Sequence, residues 1–143
     1  MKLTEHFKLE EFTRSETAAR KGLDNTPNKT QIAALKQLCK KVLEPYRDLV
    51  EKPVIISSGY RCPELNRLVG GAKNSQHMKG EAADLRMNSY KDAMLCAAWL
   101  LNNTDFDQIL IETSNHRTYW VHVSCKLNVA ENRHVYSGFL FKE

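Results

Sequence analysis

The stretch Ser75-Gln76-His77-Met78-Lys79-Gly80-Glu81-Ala82-Ala83-Asp84 sets an imidazole and a carboxylate seven positions apart. A third candidate donor, His122, stands in Trp120-Val121-His122-Val123-Ser124. Two neutral imidazoles and one carboxylate are the three-ligand set of a catalytic zinc, which keeps its fourth position for water; a structural zinc would fill that position with a further Cys or His. The spacing suits a loop ligand followed by a ligand on the next strand, because Gly80, Ala82 and Ala83 are small enough for a tight turn and close packing. Taken by itself, the His77/Asp84 pair reads more simply as a loop imidazole and a strand-end carboxylate making a turn contact.

Outward from this stretch, Val54-Ile55-Ile56-Ser57-Ser58 is short and β-branched between Pro53 and Gly59, which predicts a buried strand with Gly59-Tyr60-Arg61 leaving its end. Pro63 to Val69 reads as a short helix closed by Gly70-Gly71, Ala72 to Gly80 as a loop carrying His77, and Ala82 to Arg86 as a strand. Ser89 caps an amphipathic helix with Met94, Leu95, Ala98, Trp99 and Leu101 available for the core, ending at Asn102-Asn103. Gln108 to Glu112 and Tyr119 to Cys125 flank the polar turn Ser114-Asn115-His116-Arg117 and form a hairpin; His134 to Phe141 supplies a closing strand.

Upstream, Thr26 and Pro27 offer an N-cap and a first helical residue, after which Ile32, Leu35, Leu38, Cys39, Val42, Tyr46 and Leu49 recur at helical intervals. Pro45 predicts a kink or an early stop near Leu43-Glu44. Leu9 to Phe12 and Ser15 to Arg20 make two short helical turns, the second capped by Ser15 and ended by Gly22. With no repeats or linkers, the expected class is α+β: helices packed on a small, mainly antiparallel sheet, in a single domain over residues 1–143.

A chain of 143 residues is long enough to bury a core without staples. Its hydrophobic content of 42% and charged content of 27% argue against wholesale disorder. The net charge of +4 comes from scattered lysines and arginines, so no basic stripe marks a nucleic-acid partner, although an anionic partner such as a bacterial wall is favoured. Met1 to Phe7 lacks the apolar centre of a secretory signal, and no apolar run approaches the roughly 18 residues of a membrane span. A monomer, cytoplasmic as synthesised and not inserted in a membrane, is expected. Cys39, Cys62, Cys96 and Cys125 form no Cys-x-x-Cys pair and read as free thiols.

Ser58-Gly59-Tyr60-Arg61, the pattern Ser-x-His-x-x-Gly-x-Ala-x-Asp over Ser75 to Asp84, and Trp120-x-His122 resemble, in content and order, the zinc D-alanyl-D-alanine carboxypeptidase-like peptidases, which include many phage endolysins. The likeness runs from Phe12-Thr13-Arg14-Ser15 to the final hairpin. It implies the fold of that family, with His77, Asp84 and His122 holding Zn2+ and Arg61 gripping a substrate carboxylate with its planar fork. Ser75 would contact substrate or orient the His77 loop, and Trp120 would wall the cleft or pack in the core.

Many members of that family place an acid or a histidine two or three positions before the last ligand, where this chain has Trp120 and Tyr119. Glu112 is the substitute base: with Leu110 opposite His122 and Glu112 opposite Trp120, strand alternation puts Glu112 on the His122 face, whereas a one-residue slip would turn it away. A solvent-facing strand glutamate is the plain alternative. The resemblance thus implies a zinc metallopeptidase cleaving a peptidoglycan peptide next to a D-amino acid, as a carboxypeptidase or endopeptidase. The alternative is an inactive zinc-containing wall-binding module. Release to the cell wall during phage lysis and cytoplasmic recycling fit the same residues.

Overall fold

The computed structural model describes residues 1–142. It opens with a small antiparallel hairpin, β1 (Lys2–Thr4) and β2 (Phe7–Lys8), which the sequence reading does not foresee. Two short helices follow, α1 (Leu9–Thr13) and α2 (Glu16–Lys21), the latter capped by Ser15 Oγ and ended by Gly22 in the left-handed conformation. The long helix starts two residues later than Thr26-Pro27 suggests. Asn28 Oδ1 accepts from the Gln31 amide and Gln31 Oε1 from the Asn28 amide, both at 2.8 Å, so this reciprocal cap fixes the start of α3 (Lys29–Leu38).

Pro45 neither stops the chain nor ends the helix. A π-turn over Cys39–Leu43 widens the backbone, the Glu44 amide reaching back to the Cys39 carbonyl, and α4 (Glu44–Val50) continues with proline in its first turn. The widened turn removes the demand for an amide where proline has none.

β3 (Ile56–Ser58) leads to α5 (Pro63–Leu68), then β4 (Ala82–Met87), α6 (Tyr90–Asn103), β5 (Gln108–Thr113), β6 (Tyr119–Ser124) and β7 (Val135–Phe141). Among the described residues, five strands form one sheet in the order β3-β4-β6-β5-β7, antiparallel except for the parallel β5/β7 pair. Helices pack on its apolar face, as the expected class requires.

Strand alternation makes the sheet two-faced. Ala83, Leu85, Ile109, Ile111, Val121 and Val123 are fully buried on one face, against Leu35, Leu38, Leu43 and Leu100 from the helices. The helix α6 does not rest on Met94 and Leu95, which are exposed; it buries Ala93, Cys96, Ala97 and Leu100. Three of these four side chains, Ala93, Cys96 and Ala97, are small, which permits close approach of the helix to the strands. Cys39, Cys96 and Cys125 are buried free thiols and Cys62 is half-buried. Among the described residues no helix is long and apolar enough to cross a membrane.

Candidate metal centre

The face of the sheet turned from the core carries the polar residues. Asp84 of β4 lies opposite His122 of β6, His122 opposite Leu110 of β5, and Glu112 opposite Trp120. Directly opposed residues of antiparallel strands share a face, so Asp84, His122, Glu112 and Trp120 stand together. The register is the even one that the alternation of the hairpin requires.

His77 comes to this face from a 3₁₀ turn, Gln76–Lys79. Ser75 Oγ accepts from the His77 amide at 3.2 Å and starts that turn. The Gln31 side chain, already capping α3, donates from Nε2 to the Met78 carbonyl at 3.1 Å, so the long helix holds the turn in place. His77 Nδ1 lies 2.7 Å from the Gly59 carbonyl. A carbonyl only accepts, so Nδ1 carries a proton; in the neutral ring Nε2 then offers its lone pair, as a metal-binding imidazole needs, and in the charged ring Nε2 donates toward Asp84.

That Nε2 lies 3.3 Å from Asp84 Oδ1, and His122 Nδ1 lies 3.0 Å from the same oxygen. The two rings meet edge to face with centroids 5.1 Å apart. One donor atom from each of the three residues falls within 4.8 Å of the others. Zinc bonds of about 2.0–2.1 Å at tetrahedral angles separate neighbouring donors by about 3.3 Å, so the donor set fits such an ion. Burial alone would raise the Asp84 carboxyl, but the charge of His77 and the hydrogen bonds from His122 and His77 outweigh it and hold the group well below the usual carboxylate range.

Arg61 leaves the end of β3 and is fixed on three sides. Its Nε donates to Ser58 Oγ at 3.1 Å, Nη1 donates to Asn66 Oδ1 at 3.0 Å, and Nη2 stands 3.6 Å from Asp84 Oδ2. Gly71 permits this packing: a Cβ there would lie 2.0 Å from Asn66 Oδ1 and 2.8 Å from Arg61 Nη1. Two of the five guanidinium hydrogens are committed to Ser58 and Asn66, which leaves one on Nη1 and both on Nη2.

Glu112 is buried. Its Oε1 accepts from the Trp120 indole Nε1 at 2.9 Å, and its Oε2 lies 3.3 Å from Lys142 Nζ. Arg61, Ser75, His77, Asp84, Glu112 and His122 line one cleft of about 360 Å³. Trp120 is not among the described residues lining that cleft; it meets the site through Glu112. A cleft of about 480 Å³ between the end of α4 and the start of α6 contains none of the three candidate donors.

Four further contributors escape the sequence reading. Arg133, Leu140 and Lys142 also line the donor cleft, and Asp107, fully buried beneath it, accepts from Arg133 and from Gln76. His116 sits in the β5–β6 turn and stacks on Phe141, away from the donors. A second His/Glu/Asp group, His6, Glu44 and Asp48, ties the first hairpin to α4; Glu44 there already accepts from Thr4 Oγ1 and the His6 amide, both at 2.7 Å.

Among known proteins, the zinc D-Ala-D-Ala carboxypeptidase of Streptomyces albus G is 42% identical to this chain over 60 residues, which make up 42% of this chain and 23% of that protein. The match therefore spans less than a quarter of the length of that curated relative. A family model described as Peptidase M15 matches residues 5–124. That match runs from the first hairpin to the end of β6 and takes in every candidate donor; the chain belongs to the Peptidase M15 family.

Proposed function

We propose that this chain is a zinc peptidase that hydrolyses a peptide bond in bacterial cell-wall (peptidoglycan) peptides, next to a D-amino acid, with residues 1–143 acting as one domain of the D-alanyl-D-alanine carboxypeptidase-like fold. The observation that carries the reading is the presence, in one cleft, of a zinc-type donor set, a half-buried arginine with free hydrogens and a buried carboxylate outside the donor set. Membership of a peptidase family and the name of the streptomycete relative support it.

His77 through Nε2, Asp84 through Oδ1 and His122 through Nδ1 would hold Zn2+. Bound there, the ion supplies Lewis acidity toward a scissile carbonyl and toward water. Arg61 offers its free Nη hydrogens to a substrate carboxylate and sets the peptide in register with the donors. Glu112 receives the proton of the attacking water and can pass it to the leaving amine: the Trp120 indole holds and orients the carboxylate through Oε1, and Lys142 lies 3.3 Å from Oε2, whose second lone pair serves the proton. Trp120 acts by orienting that carboxylate. Ser75 holds the His77 turn and lines the substrate path.

The chain would work as a monomer, and the resemblance to phage endolysins supports a role in which it reaches the wall during lysis. The test is a defined panel of muropeptides incubated with protein purified without chelator, with fragments read by mass spectrometry and metal by inductively coupled plasma. One equivalent of zinc and a single cleaved bond beside a D-residue are expected. Protein that carries no zinc and cleaves none of the panel overturns the reading.

A further inference from the structure

The cleft has a second wall that lies outside the family-matched residues 5–124 and belongs to this chain's segment after β6. Its geometry depends on a bulge. β7 pairs Tyr136 with Ile109 but Phe139 with Ile111, so two residues, Ser137 and Gly138, oppose one of β5. Gly138 adopts φ +82, a conformation open to glycine. Without the extra residue, alternation would set Phe139 level with Glu112; with it, Leu140 takes that place and Lys142 follows on the same face.

Arg133 precedes this strand and is held from beneath. Asp107 is wholly buried, and its Oδ1 accepts from the Arg133 amide at 2.8 Å and from Nε at 3.1 Å, while Oδ2 accepts from Nη2 at 2.8 Å. Gln76, the neighbour of His77, donates to the same Oδ2 at 3.1 Å, which fastens Arg133 to the candidate metal turn. Nε and one Nη2 hydrogen are thus committed, leaving three guanidinium hydrogens on a side chain that is 53% exposed and lines the cleft. Lys126, 3.9 Å from Asp107 Oδ1, brings a second cation to that one buried carboxylate.

We propose that Arg133 is a second anion anchor, so that the cleft selects peptides carrying two carboxylates near the scissile bond, one taken by Arg61 and the other by Arg133. Lys142 Nζ lies 3.3 Å from Glu112 Oε2 and offers a point charge, without the planar fork that Arg133 can turn to a carboxylate. The proposal rests on the cleft being the peptide site of the zinc peptidase described above. Its substrate class is a short wall-type peptide with an acidic side chain whose amidated counterpart is a poorer ligand.

The test uses two near-isosteric probes, N-acetyl-Ala-D-Glu and N-acetyl-Ala-D-Gln, each with a free α-carboxylate, offered to the zinc-loaded protein. Preference is read as the ratio of Kd values by calorimetry, or of kcat/KM where a probe is cleaved, so cleavage reports on the peptidase reading and the ratio reports on Arg133. The wild type should favour the D-Glu probe about tenfold, as expected for a charge-assisted pair. R133Q should bring the ratio to about one with zinc content unchanged, R133K should restore part of it, and R61Q should weaken both probes by the same factor. A wild-type ratio near one overturns the proposal without recourse to any variant. So does a ratio that persists in R133Q, or in R133A if R133Q does not fold, since an arginine that merely neutralises Asp107 would leave the discrimination unmoved.

Discussion

The floor of the cleft and its C-terminal rim solve the same problem, aiming a charged group, by different means. On the floor, Asp84 and His122 sit on adjacent paired strands, and His77 is pinned through Gly59, Ser75 and Gln31; all are buried or nearly so. On the rim, β7 is an edge strand whose residues are mostly exposed, and its groups are aimed by one bulge and one buried carboxylate. The floor is overdetermined, because each donor is held by several independent contacts. The rim hangs on two devices, Gly138 and Asp107, and a change at either is transmitted directly to the cleft.

Perturbations of the floor should therefore be the harsher. H122A is expected to abolish both zinc retention and hydrolysis, measured by plasma emission and by muropeptide cleavage; a variant that keeps zinc and turnover would break the three-donor assignment. E112Q should keep zinc and lose roughly 10²- to 10⁴-fold in kcat. Unchanged turnover would remove Glu112 as the proton acceptor, whereas a wild type that holds zinc and binds wall peptides without cutting them would favour a binding module. G71A drives a Cβ into Asn66 and the Arg61 head, so KM for carboxylate-bearing peptides should rise about tenfold, with about 1–3 kcal/mol of overpacking cost seen in denaturant titration.

The smallest effect belongs to the rim. Burial opposes ionisation of Asp107, but the hydrogen bonds and charge of Arg133 prevail and hold its pKa at about 2, against 3.8 for a free side chain. A depressed carboxyl stabilises the fold above the unfolded value and loses that contribution as pH falls through the folded one. About 2 kcal/mol of stability should disappear between pH 4 and pH 2, and D107N should flatten that part of the profile. A D107N profile as steep as that of the wild type would show that other carboxylates control acid unfolding.

The difference between floor and rim also explains what the sequence discloses. Ser75 to Asp84 is readable because its chemistry is local: a loop imidazole, small residues and a strand-borne carboxylate lie within ten positions. The face of Glu112 is readable because a hairpin with a polar turn allows few registers, and period-two alternation then assigns every side chain. Arg133 and Lys142 are not readable, because their place depends on a parallel pairing with β5 and on a bulge, neither of which has a periodic signature. The phase of α6 misleads for a related reason. Met94 and Leu95 carry the hydrophobicity, while the sheet accepts Ala93 and Ala97 because they are small. Pro45 marks the place of the irregularity, near Leu43-Glu44, but not its form, because a π-turn depends on backbone hydrogen bonding that composition does not encode.

The parallel pairing of β7 with β5 carries a consequence for biosynthesis. A nascent chain presents His77, Asp84 and His122 before it presents Arg133 and Lys142, so translation delivers a donor set that still lacks its selective wall. Until β7 arrives, the outer edge of β5, with Ile109 and Ile111, offers unpaired amides and carbonyls to any neighbouring polypeptide. Docking of β7 thus caps a sticky border and confers selectivity in a single step.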